Sequence, residues 1–110
     1  MTFSFEIMKG IIDQFQRNPK SFAATYCTSA LYDRSTPQQL DAMHTRTLCR
    51  VTDLSYYFEP FTRENERRVL AIHREECYWD GRCLYSITIH DKSMYLKDLA
   101  KSFKIAKAVN

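Results

Sequence analysis

Glycine is almost missing from this chain: 110 residues include 2 glycines and 3 prolines. Phosphate-cradling loops and dinucleotide turns need glycine where the backbone approaches a ligand or takes positive φ, so neither a P-loop nor a Rossmann fingerprint is present. Long apolar runs are lacking too. The longest purely aliphatic stretch is Val69 to Ile72, far short of the ~20 residues that span a bilayer. Residues 1–9 carry no basic segment ahead of a continuous apolar one, since Glu6 and Lys9 interrupt it, and a cytoplasmic location is the expectation. Cysteine pairs at the short spacing of structural zinc sites are also missing, and no carboxylate-dense stretch offers an acidic nucleic-acid mimic.

What is present is ring and charge. Fourteen Phe and Tyr with one Trp are too many for a disordered segment, and a chain of this length buries enough surface to fold without metal or disulfide staples. No repeat or linker divides it, so residues 1–110 are read as a single globular domain. Its four cysteines, Cys27, Cys49, Cys77 and Cys83, read in a reducing compartment as small core residues. The net charge of +3 is unevenly spread, because residues 92–110 hold five lysines against Asp98 alone.

Periodicity predicts three N-terminal helices. Phe5, Met8, Ile12 and Phe15 form one stripe over residues 3–17. Asn18-Pro19 closes that helix and opens a second, to about Tyr32, with Phe22, Tyr26, Ala30 and Cys27 inward. Thr36-Pro37-Gln38-Gln39 reads as a capping box for a third carrying Leu40, Met43, Thr47, Leu48 and Val51. From Tyr56-Tyr57-Phe58 the pattern turns extended. Ser55 to Phe61 reads as an aromatic edge strand tolerant of Pro60 and able to pair with a second copy as a homodimer. Val69 to Tyr78 and Cys83 to His90 flank Asp80-Gly81 as a hairpin. A two-residue turn there places Cys77 and Cys83 on opposite faces, with His73 and His90 as diagonal neighbours; a three-residue loop sets the two thiols directly across from each other. Ser93 caps a last helix with Leu96, Leu99, Ala100, Phe103 and Ala106 inward. The fold class is α+β: three helices, a three-stranded antiparallel meander, and a C-terminal helix.

The reactive side chains form no catalytic constellation. Asp41 and His44 are an ordinary helical pair, and His73, Cys77, Cys83 and His90 lack the converging geometry of a zinc site; a redox pair of Cys77 and Cys83 depends on the longer-loop register. No cofactor is implied. Two binding surfaces stand out. Trp79 at the hairpin tip, with Tyr78, Arg82, Tyr57 and Phe61, supplies the ring and guanidinium types that dominate protein interfaces. Lys97, Lys101 and Lys104 lie within about 60° on a helical wheel; with Lys107, and with Arg67, Arg68 or Arg74 on the sheet, they make a phosphate-tracking row for nucleic acid. The expectation is a small non-enzymatic regulator or inhibitor, of the kind phages and mobile elements carry, that docks on a larger protein or complex; a nucleic-acid binder is the alternative.

Overall fold

A computed structural model describes residues 1–43, 47–49, 54–62 and 66–93. Among these residues two helices and a short 3₁₀ turn accompany five strands: α1 (Phe5–Arg17), the turn Pro19–Ser21, β1 (Cys27–Tyr32), α2 (Thr36–Met43), β2 (Thr47–Cys49), β3 (Leu54–Phe58), β4 (Arg68–Cys77) and β5 (Cys83–Asp91). The strands form one sheet in the order β1-β5-β4-β3-β2, antiparallel throughout. The expected three helices followed by a three-stranded meander are therefore corrected: two predicted helical stretches contribute strands instead.

The first correction concerns residues 19–32. Phe22, Tyr26 and Ala30 recur every four residues, a spacing that suits a helix and equally a strand, because four is a multiple of two. The run Cys27-Thr28-Ser29, poor in helix formers, decides the matter. Only Pro19–Ser21 is helical, and Ala30 and Tyr32 then face the core opposite Tyr85 and Cys83. The second concerns the third helix, described over Thr36–Met43: Thr47 and Leu48, expected on it, lie in β2 and pair with Tyr56 and Ser55. Val51 and His44 lie outside the described residues, as does the predicted C-terminal helix from residue 94 onward.

Capping shifts as well. The Asp33 carboxylate accepts from the Ser35 amide (3.1 Å), the Ser35 hydroxyl (2.6 Å) and the Thr36 hydroxyl (3.1 Å), and the Gln39 side chain donates to Ser35 Oγ (2.6 Å). A charged acceptor three residues upstream outcompetes the Thr36 hydroxyl for the cap, and these bonds, led by the Ser35 hydroxyl, hold the Asp33 carboxyl below the usual carboxylate range. At the end of β5 the Asp91 carboxylate likewise accepts the Ser93 amide, at 2.8 Å.

One sheet face carries the core. Tyr56, Phe58, Leu70, Ile72, Tyr85 and Ile87 line it, and Phe5, Met8, Ile12 and Phe15 of α1 with Leu40 of α2 close it. The opposite face presents Ser55, Tyr57, Val69, Ala71, His73, Ser86, Thr88 and His90, in which Tyr57, Val69 and Ala71 make a second small buried cluster. The aromatic strand β3 is thus interior to the sheet, flanked by β2 and β4, and the edges are β1 and β2. Phe3 covers one end of the β1 edge: its amide donates to the Leu31 carbonyl and its own carbonyl accepts from Asp33, both at 2.9 Å.

Candidate functional site

The β4–β5 hairpin contains two registers. Its turn is a three-residue loop: Gly81 N–H donates to the Tyr78 carbonyl at 2.9 Å, Tyr78 N–H to the Arg82 carbonyl at 2.8 Å, and Gly81 takes φ of 90°. A type I turn followed by a left-handed residue produces this pattern. It sets Cys77 opposite Cys83, and they form a disulfide with Cα atoms 4.1 Å apart. Continued unbroken, that register would place His73 and Ala71 beside Ile87 and Ile89, turning Leu70 and Ile72 away from the core. A bulge between Arg74 and Glu76 removes the conflict, since one extra residue on β4 restores Ile72 opposite Ile87. The core sets one register and the turn sets the other.

This arrangement corrects the cysteine and histidine expectations. Of the cysteines expected in the core, Cys77 and Cys27 are exposed, Cys83 is buried within the disulfide, and the Cys49 side chain lies outside the described set. His73 pairs with Ser86 and His90 with Val69. They are four strand positions apart, about 13 Å, and not diagonal neighbours. Among the described residues no cluster of three His, Cys, Asp or Glu is placed to share a metal ion. Asp41 accepts a hydrogen bond from the Tyr56 hydroxyl; burial, and after it this bond, raises the Tyr56 phenol above its ordinary range.

At the tip itself Trp79 is 98% exposed and Tyr78 41%. The backbone that carries them is held from three sides. The disulfide closes the base of the loop. Asp80 accepts the Arg82 amide (3.1 Å) and Nε (2.7 Å), and Arg82 Nη1 reaches Thr2 Oγ1 at 3.2 Å. The Arg82 amide, with its guanidinium, keeps the Asp80 carboxyl below the usual range. Gly81 abuts Arg34, where an added Cβ would come within 2.8 Å of the Arg34 Cβ. The tip is thus a large ring without a packing partner of its own, on a fixed support.

Trp79, Tyr78 and Arg82 are brought together; the other two candidate anchors are not. Tyr57 is buried on β3 opposite Ala71, six β4 positions from Cys77 or about 20 Å along the strand. Phe61 is 67% exposed but lies past the far end of β3, where its amide donates to the Gln16 carbonyl at 2.9 Å. The sheet arginines do not form a patch either. Arg68 donates to the Phe22 and Pro19 carbonyls, each at 3.0 Å, and pairs with Glu66, while Arg74 lies opposite Tyr85. Lys97, Lys101, Lys104 and Lys107 fall outside the described residues.

One feature escaped the sequence reading. A half-open groove of about 270 Å³ on the second face is lined by Ser55, Tyr57, Ala71, His73, Ser86, Thr88 and His90. Ser55 Oγ lies 2.7 Å from His73 Nδ1 across the β3–β4 pair. Period-two alternation along β4 and β5 would have grouped these polar residues on one face, had the register been known. With Ser55 itself buried, the bond fastens neighbouring strands. Searches of family models, curated proteins and solved structures return no match for the chain. No helix among the described residues is long and apolar enough to cross a membrane.

Proposed function

We propose that this protein is a small non-catalytic docking module that inserts the Trp79 tip into an apolar pocket on a larger protein, in the manner of a regulator or inhibitor. The observation that carries the reading is a 98% exposed tryptophan on a turn fixed by a disulfide, a left-handed glycine and an ion pair. An indole left in water is unfavourable by its apolar area, whereas buried in a partner it is among the strongest contributors to affinity. A rigid support strengthens the effect, because less conformational freedom is lost on binding. Tyr78 adds a second amphipathic ring, and the Asp80–Arg82 pair supplies polar groups at the rim.

The test compares the wild-type protein with Trp79→Ala in quantitative capture from an extract, followed by titration against the captured partner. Trp79→Ala is expected to fold normally, since its side chain packs on nothing, and to lose about 30-fold or more in affinity, the size of an interface hot spot. Partner affinity unchanged in Trp79→Ala would overturn the proposal.

A further inference from the structure

We infer that the Cys77–Cys83 disulfide is a thiol-responsive latch: its reduction releases the Trp79 tip from a fixed presentation while leaving the sheet folded. The inference deepens the docking reading and rests on it for its functional meaning. Its physical content is testable without any partner.

Three observations carry it. First, the bulge between Arg74 and Glu76 interrupts the β4–β5 ladder, so that beyond it the β4 arm is held only by Glu76↔Leu84 and Cys77↔Cys83, whereas the β5 arm also pairs with β1 through Leu31↔Leu84 and Tyr32↔Cys83. On the β4 side two pairs make a weak cooperative unit, and the covalent bond is what ties that arm to the β1-backed β5. Second, the two sulfurs stand in different surroundings. Cys77 is exposed and open to an incoming thiolate, whereas Cys83 is 2% exposed and belongs to the main core cluster beside Tyr32 and Tyr85. After reduction Cys83 still serves as a small apolar core residue, so the core does not depend on the bond. Third, Trp79 is nearly fully exposed and so takes its position from the loop backbone alone.

The step balances with a dithiol as reductant. Its thiolate bonds to Cys77 Sγ, and the Cys77–Cys83 bond breaks with its electron pair leaving on Cys83, which takes up a proton. The second thiol of the reductant then displaces Cys77 as a thiol. The reductant ends as its own disulfide, and the protein has gained two electrons and two protons.

The experiment uses the full chain, oxidised or treated with dithiothreitol, with reduction verified by a mass gain of two hydrogens. Amide hydrogen exchange and the emission anisotropy of Trp79, the sole tryptophan, are read in both states. Reduction is expected to speed exchange over residues 78–82 by roughly tenfold and lower the anisotropy, with 70–72 and 85–87 unchanged within about twofold. Reoxidation restores both signals. Cys77→Ser, which keeps the buried Cys83, should show the fast tip at all times and ignore dithiothreitol. Verified reduction with no change at 78–82 would overturn the latch. So would acceleration spread across the whole sheet, which would make the bond a staple for the fold, or a response to dithiothreitol that survives in Cys77→Ser. Failure of docking is read separately, as unchanged affinity of the oxidised Trp79→Ala protein for its partner.

Discussion

Single residues fix the tip. Gly81 is the sharpest case, since its φ of 90° belongs to the left-handed side, and a Cβ would also meet Arg34 at 2.8 Å. Any L-residue there carries both a backbone and a steric penalty. Gly81→Ala is therefore expected to destabilise the protein by about 1 to 3 kcal/mol in urea unfolding and to raise tip exchange; a loss under about 0.5 kcal/mol would contradict the turn geometry. Sequence reasoning reached Asp80-Gly81 as a bend because few residues other than glycine tolerate that conformation. It left the loop length open, because both bends use the same dipeptide and the choice is made by Cys77, Cys83 and the extra residue on β4.

At the scale of elements, α1 was legible from the sequence because Phe5, Met8, Ile12 and Phe15 fit only a helical period, and all four are buried. β1 was not legible, for its spacing of four fits both periods and its partner β5 lies more than fifty residues along the chain. Tyr57 was misjudged for a related reason: a sheet with buried residues on both faces can absorb more rings than a one-sided sheet. Arg68 shows how an apparent surface cation becomes structural. It ties β4 to the turn after α1 through the Phe22 and Pro19 carbonyls while pairing with Glu66, whose carboxyl is held below its usual range by that contact. Arg68→Ala is expected to cost about 1 to 3 kcal/mol, by loss of the charge-assisted bonds to the Phe22 and Pro19 carbonyls, the latter keeping only the Phe22 amide at 3.2 Å. Arg68→Lys should recover little of this, because one ammonium cannot reproduce the fork. Full recovery with lysine in a thermal melt would refute that account.

For the molecule as a whole, the core predicts an alkaline limit. Tyr85 is fully buried, with the Arg74 guanidinium as the polar neighbour of its hydroxyl; burial pushes its phenol up to about 12 from 10.0, against the opposing pull of Arg74. A raised folded value means stability is complete below pH 10 and declines as pH rises from 10 towards 12, by about 2 to 3 kcal/mol for this group. Tyr85→Phe should remove that portion of the slope in urea unfolding followed across this range. Near neutrality it should change stability by no more than about 1 kcal/mol, since among the described residues the hydroxyl makes no well-formed hydrogen bond within the core; a larger neutral loss would show its contact with Arg74 to be a strong bond. The mismatch between the two halves of the β4–β5 ladder also limits how this chain can vary in length. Losing one residue from β5 would double that mismatch, whereas losing the extra β4 residue, Glu75, would merge the two registers into one, with Ile72 still opposite Ile87 and Cys77 still opposite Cys83. Single-residue shortening should therefore be tolerated at Glu75 and rejected along β5.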